Sequence, residues 1–212
     1  MKSYPSIFND CLSPVTPGPS SSNTAGPYRL GAMASDLLVG KPVHLHGEMS
    51  KKGGYFATFY GMHSDKAFLL GIMKKDLRSY NFNNIYADAD AHGLSYTYEF
   101  SDNVPNRPSE SAWLTLSSEV GDTIFVKTAS LGGGEIYIDE LDGIKTYIDG
   151  KYFYLLVRVA ANFLPSIKNM LPGTYSVADS SSGESLITVR SSTPIDTDLV
   201  SKVRTANGVL YV

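Results

Sequence analysis

The chain has 212 residues, 42% apolar and 18% charged, which suits one large domain or two small ones with a real core and lies outside the disordered range. With 18 Lys+Arg against 21 Asp+Glu and a net charge of -3, it lacks the clustered cations that nucleic-acid binding needs. The single cysteine, Cys11, excludes an intramolecular disulfide and any metal or iron–sulfur site built from several thiolates of this chain.

Met1-Lys2-Ser3-Tyr4-Pro5-Ser6 has no apolar leader run, and no stretch approaches the ~20 apolar residues of a membrane span, so the cytoplasm is the expected location. Prolines 14, 17 and 19 make the segment before Tyr28 extended or looped. Leu30, Met33, Ala34, Leu37 and Leu38 then recur at helical spacing, and Gly40 and Pro42 stop the helix. Val43 to Met49 alternates like a strand, and Tyr55 to Tyr60, rich in aromatics after Gly53-Gly54, also reads as strand. A helix is expected over Asp65 to Lys75 with Ser64 as its N-cap. Leu94 to Phe100, Trp113 to Ser117, Ile124 to Ser130 and Glu135 to Leu141 complete a sheet covered by the two helices. After Asp149-Gly150 the pattern restarts as strand (152–160), helix (164–171), strand (174–179), strand (185–191), helix (196–205) and strand (208–212). This β-α-β-β-α-β series is the ferredoxin-like order.

Two segments carry candidate binding chemistry. Gly18 to Gly26 supplies hydroxyls and free amides ahead of a helix N-terminus, the equipment for holding a carboxylate or phosphate, although composition alone is also met by a polar loop. Ser130-Leu131-Gly132-Gly133-Gly134 lets another group approach its backbone, or is simply a glycine turn; it is no P-loop, since no Gly-Lys-Ser/Thr follows. His44 and His46 share one strand face but have no visible third ligand, which favours surface histidines over a metal site. His63, beside Ser64 and Asp65 at a helix start, is the candidate acid or base, and Cys11 has no pattern that activates a thiol.

Several motifs in register give a family. Tyr4-Pro5-Ser6-Ile7-Phe8-Asn9-Asp10, the Gly18-Pro19-Ser20-Ser21-Ser22-x-Thr24 loop, Gly61 to Ala67, Pro105-Asn106, and Ser130-Leu131-Gly132-Gly133-Gly134 with Asp142-Gly143 resemble, in order and along nearly the whole chain, the β subunit of iron–sulfur-dependent bacterial L-serine dehydratase. The resemblance implies a two-part lyase (amino-acid dehydratase, or ammonia-lyase). A separate cysteine-bearing α subunit would hold a [4Fe-4S] cluster, and this chain would contribute an active-site wall and a C-terminal ACT-like domain. It implies no metal held by this chain. The chain departs from the family at its histidines. The serine loop, Ser-Ser-Ser-His-Thr in the family, has Asn23 in the fourth place; Gly-His-Gly-Thr-Asp becomes Gly61-Met62-His63-Ser64-Asp65; and the histidine of His-Pro-Asn-Thr is replaced by Val104. Asparagine hydrogen-bonds but exchanges no proton near neutral pH.

The expectation is therefore an α+β protein. A mixed sheet flanked by helices occupies residues 1–150 and an ACT-like βαββαβ domain occupies residues 151–212. His63 and Asn23 are the expected catalytic residues. Ser20, Ser21, Ser22, Thr24, Asp65, Asn106, Gly132, Gly133 and Gly134 are expected to bind an amino-acid substrate. A non-catalytic scaffold or ligand-sensing subunit that keeps the fold is the other reading. The loop Val159 to Pro165 lacks the glycine usual in effector-binding ACT domains, which lowers the expectation of regulation there.

Overall fold

The computed structural model describes residues 20–212. The opening motif Tyr4 to Asp10, Cys11, Gly18 and Pro19 lie outside them. The chain forms two compact units that divide between Ile138 and Asp139.

In the first unit the polypeptide runs through α1 (Ala25–Leu37), β1 (Pro42–Ser50), α2 (Gly54–Thr58) and α3 (Ser64–Ile72). A 3-10 turn (Phe82–Asn84) leads into α4 (Ile85–His92), followed by β2 (Ser95–Ser101), β3 (Glu110–Ser118), β4 (Thr123–Gly132) and β5 (Glu135–Leu141). Within the first unit the strand order is β2-β1-β3-β4-β5, and the sheet is mixed: β2 runs parallel to β1, while β1–β3 and β3–β4 are antiparallel. Leu45, Met49, Leu114, Leu116 and Val126 point to one face and are fully buried. Burying each such side chain contributes about 1.5–3 kcal/mol. The alternate positions His44, His46, Glu48, Trp113 and Thr115 are half-buried on the opposite face.

After its polar first turn α3 is apolar nearly all round, with Ala67, Phe68, Leu69, Leu70 and Ile72 buried, because it packs against α1 and Phe68 meets the rings of Tyr55, Phe59 and Tyr98. It crosses α1 at a pair of glycines. A Cβ on Gly71 would sit 2.0 Å from the Tyr28 carbonyl oxygen, and one on Gly31 would sit 2.5 Å from that of Phe68. The missing side chains let the two backbones touch, which sets both helix N-termini side by side.

The strand expected over Tyr55 to Tyr60 is instead α2 with its following turn. Tyr55 and Phe59 are buried while Phe56 and Tyr60 are 57% and 60% exposed, a helical rather than an alternating pattern. The Tyr55 and Phe59 rings meet edge to face at 5.8 Å, and this packing outweighs the β propensity of the segment. The helix after His63 is also shorter than expected, ending at Ile72, and Ser64 is not its cap. His63 holds the N-cap position without a side-chain bond. α2 and α4 are additions to the two helices expected.

In the second unit β5 turns at Asp142-Gly143 into β6 (Ile144–Ile148), a strand the sequence reading did not include. Then come β7 (Phe153–Ala160), α5 (Leu164–Lys168), β8 (Tyr175–Asp179), β9 (Glu184–Ser191), α6 (Thr197–Arg204) and β10 (Val209–Tyr211). The sheet order is β10-β7-β9-β8 with every neighbour antiparallel, the ferredoxin-like arrangement, with which an ACT-like domain is compatible. Its core joins Leu155, Val157, Val159 and Ile187 of the sheet to Ile167 and Val203 of the helices. Asp196 caps α6 by accepting from the Asp198 amide at 2.9 Å. The β5–β6 hairpin is tied to this sheet by a Thr146–Thr188 hydroxyl bond at 2.9 Å and by Arg158, which reaches Asp142 at 3.2 Å and Glu184 at 2.6 Å. That attachment is why the compact units divide ahead of the Asp149-Gly150 composition break.

Candidate functional site

The serine loop folds as a turn into α1, with the Gly26 amide donating to the Ser21 carbonyl at 2.9 Å. Asn23 is 6% exposed and organises what surrounds it. Its Nδ2 donates to the hydroxyls of Ser20 and Ser22, both at 3.2 Å, and its Oδ1 accepts from Thr58 of α2 at 2.9 Å. Its main-chain carbonyl accepts from the Ser64 hydroxyl at 2.7 Å, and Thr24 donates to the Met62 carbonyl at 3.2 Å. The loop before α1 is thereby stitched to the turn before α3, and the positive ends of two helix dipoles converge.

His63 enters α3 with φ +62, a left-handed conformation uncommon for a residue with a side chain. Its ring lies 5.9 Å from that of Phe82, and Nδ1 is buried with no hydrogen-bond partner among the described residues. Asp65 is 2% exposed in the first turn of α3. Tyr86 donates to its Oδ2 and Tyr98 to its carbonyl at 2.8 Å, while Oδ1 has no partner among the described residues. Burial pushes both phenols above the ordinary tyrosine range and the Asp65 carboxylate adds to the shift, so at neutral pH both remain protonated donors. Gly47 of β1 makes room for the Tyr98 ring, since a Cβ there would meet it at 2.8 Å.

Gly132, Gly133 and Gly134 form the β4–β5 turn with φ of +93, +62 and +81, a run that only glycine adopts without strain. Arg29 of α1 donates to the Gly134 carbonyl at 2.5 Å, tying the turn to the helix that the serine loop opens. Ser130 is fully buried beside Gly26, where a Cβ would lie 2.2 Å from its Oγ, and that hydroxyl has no partner among the described residues. Asn106 is exposed in the β2–β3 connection and is not drawn into the Asn23 network. His44 and His46 bond Ser95 and Thr97 on the other sheet face, at 2.8 and 2.9 Å. Among the described residues no three His, Cys, Asp or Glu side chains converge as metal ligands.

The structure thus brings together Ser20, Ser22, Asn23, Thr24, His63 and Asp65, and ties the glycine turn to α1. Thr58, Ser64 as a donor, Tyr86, Tyr98 and the orphan hydroxyl of Ser130 complete the surroundings and were not among the expected site residues. Reading Thr58 inside a strand hid it. The inward alternation of Tyr96, Tyr98 and Phe100 on β2 was the one local signal for Tyr98.

These features define an α+β polypeptide with a buried polar cluster at two helix N-termini and a ferredoxin-like unit behind it in sequence. No protein-family model matches the chain. It is 33% identical over 154 residues to the probable L-serine dehydratase, beta chain, of Bacillus subtilis (strain 168), an alignment covering 73% of this chain and 68% of that relative. It is 26% identical over 149 residues to the L-serine dehydratase, beta chain, of Peptoniphilus asaccharolyticus, covering 70% of this chain and 66% of the relative. The chain belongs to the L-serine dehydratase beta chain family. Among the described residues no helix is long and apolar enough to cross a membrane.

Proposed function

We propose that the chain is the beta subunit of a two-component dehydratase that converts L-serine, or a related β-hydroxy amino acid, to a 2-oxo acid and ammonia. The observation that carries this reading is the arrangement around Asn23. Its amide holds Ser20, Ser22 and Thr58 in place, and the turn into α3 that Ser64 ties to it carries His63 Nδ1 and Asp65 Oδ1, both buried without partners among the described residues. Unpaired buried polar atoms cost about 1–3 kcal/mol each, a cost that an entering polar ligand removes.

The cluster's donors are hydroxyls, an amide, a carboxylate and an imidazole, which suit an amino acid and do not fit an iron–sulfur cluster. In this reading a [4Fe-4S] cluster would be held by a cysteine-bearing alpha subunit and, when bound there, would supply Lewis acidity toward the leaving hydroxide. This chain's residues do the rest. The serine-loop hydroxyls and the α1 dipole bind the substrate carboxylate, and Asp65 holds the ammonium group. His63 takes the α-proton. Loss of that proton and of the β-hydroxyl releases water and leaves an aminoacrylate, which tautomerises to an imine and takes up water to give the 2-oxo acid and ammonia. Asn23 exchanges no proton and acts by positioning the loop.

Copurification of the chain with a cysteine-bearing partner, followed by anaerobic assay of the complex for ammonia and 2-oxo acid, tests the reading. Turnover that falls at least about 100-fold in His63→Gln supports it; no partner and no turnover overturns it.

One observation favours a ligand-sensing or scaffold subunit: the Asn23 amide is already committed within the chain. That reading predicts amino-acid binding without turnover and a function intact in Ser21→Ala and Asn23→Ala. Regulation through the ferredoxin-like unit has less support. The Ala160 and Ala161 amides donate to the carbonyls of Gly208 and Gly183, and Phe163 packs against Gly208, so the loop before α5 is satisfied internally.

A further inference from the structure

Among the described residues β2 is the outermost strand of the first unit's sheet and pairs on one side only, with β1. Ser101 directs its carbonyl to β1, accepting from the Lys51 amide at 2.9 Å. Backbone groups alternate sides along a strand, so those of Ser95, Thr97 and Glu99 also face β1, and those of Tyr96, Tyr98 and Phe100 face outward. Among the described residues these outward N–H and C=O groups have no hydrogen-bond partner. β2 is seven residues long, in unbroken register with β1, free of proline and bulges, and carries one charge, Glu99. An edge with so little protection is a template for another strand.

We propose that β2 pairs antiparallel with β2 of a second copy of this chain, about a two-fold axis at Tyr98, so that the sheet continues across the two copies. The strand is complementary to itself in this register. Tyr98 faces Tyr98 and Tyr96 faces Phe100 of the other copy; all of these residues direct their backbone outward, so each pair exchanges both hydrogen bonds. On the opposite face Ser95 meets Ser101 and Thr97 meets Glu99, with no like charges directly opposed. A slip of one residue would set outward groups against inward ones.

A second observation points to the same register. Phe56 and Tyr86 are 57% and 37% exposed, and each is packed on one end of β2. Phe56 lies edge-on to Phe100 at 5.4 Å, and Tyr86 stacks on Tyr96 at 5.9 Å. Because Tyr96 meets Phe100 across the axis, each exposed ring of one copy comes beside the other kind of ring of its mate, and the seam covers both.

Sedimentation velocity of the full chain over a wide concentration range tests the proposal, with a reversible dimer expected. Thr97→Glu opposes Glu99 of the other copy twice per dimer and should raise the dissociation constant about 2- to 30-fold. Adding Glu99→Lys to that variant replaces the repulsion by attraction and should restore dimerisation, which a folding defect would not allow. Hydrogen exchange of the Tyr96, Tyr98 and Phe100 amides should slow as the dimer forms. A chain that stays monomeric, including one that offers this edge only to a different polypeptide, overturns the proposal. So does a dimer indifferent to Thr97→Glu with unchanged exchange at these three amides.

Discussion

Replacing Gly71 by alanine adds one methyl group where α3 crosses α1, and its consequences extend to the Asn23 cluster. That methyl would lie 2.0 Å from the Tyr28 carbonyl oxygen and 2.9 Å from the Ala32 nitrogen, both backbone atoms inside a helix that cannot rotate away. Ordinary contact begins near 3.4 Å, so the helices must part locally by about 1.4 Å. Overpacking of this kind costs about 1–3 kcal/mol, and rigid backbone on both sides places Gly71→Ala at the upper end. Alanine's better helix propensity returns about 1 kcal/mol, leaving a net loss of about 2 kcal/mol. The same displacement would stretch the 2.7 Å Ser64–Asn23 bond to about 4 Å, beyond hydrogen-bonding range. Urea denaturation at unchanged m measures the stability loss, and ligand affinity of the folded variant measures the site. Gly61→Ala is the control, because the nearest atom to its Cβ is 3.9 Å away, and it should stay within about 0.5 kcal/mol of the parent. A Gly71→Ala chain as stable as the parent, with unchanged ligand affinity, would refute the claim that this glycine contact sets the site.

Three further outcomes follow from the same structure. Ser64→Ala leaves the buried Asn23 carbonyl without its donor and should cost about 1–3 kcal/mol in denaturant titration. Tyr55→Phe removes a fully buried hydroxyl that has no partner among the described residues, and should raise stability by up to about 1 kcal/mol, a Tm gain of about 2–4 °C in calorimetry. Asp88 is held below the usual carboxylate range by hydrogen bonds from Lys75 and then Tyr80. Its contribution is therefore full above its unfolded pKa near ~3.9 and is lost as pH falls through the lower folded value. Asp88→Asn should flatten the acid limb of the Tm-against-pH curve below about pH 4, and an unaltered limb would count against the Lys75–Asp88 pairing.

Where periodicity was strong, the sequence carried the structure. The alternation in β1 and β3 and the whole β-α-β-β-α-β series stand at their expected places, because side-chain period and burial agree there. Tyr55 to Phe59 misled because aromatics favour strands in isolation, whereas the face they bury here has helical spacing. α4, with its alanines and aspartates, offered no apolar stripe to read, and only the Asn81 side chain bonding the Asn83 amide marks the turn ahead of it. The serine loop and the His63–Asp65 turn were legible through family resemblance, and nothing local announced that Asn23 joins them. Its partners Thr58 and Ser64 lie 35 and 41 residues away, a proximity created by the Gly31–Gly71 crossing. Ser64 looks like an N-cap from its neighbours alone; the left-handed backbone of His63 is what frees its hydroxyl for Asn23.

The one tryptophan of the chain, Trp113, is half-buried in β3, with the Lys127 ammonium 4.9 Å above its ring and Phe125 edge-on at 6.0 Å. The ferredoxin-like unit has none. Emission excited beyond tyrosine absorption is thus a single-site optical signal from the first unit, whose intensity responds to the cation seated over the indole. Tyrosine emission or far-ultraviolet dichroism samples both units. Discordance between these signals during denaturation would expose sequential melting, and coincidence would mark the polypeptide as one cooperative system.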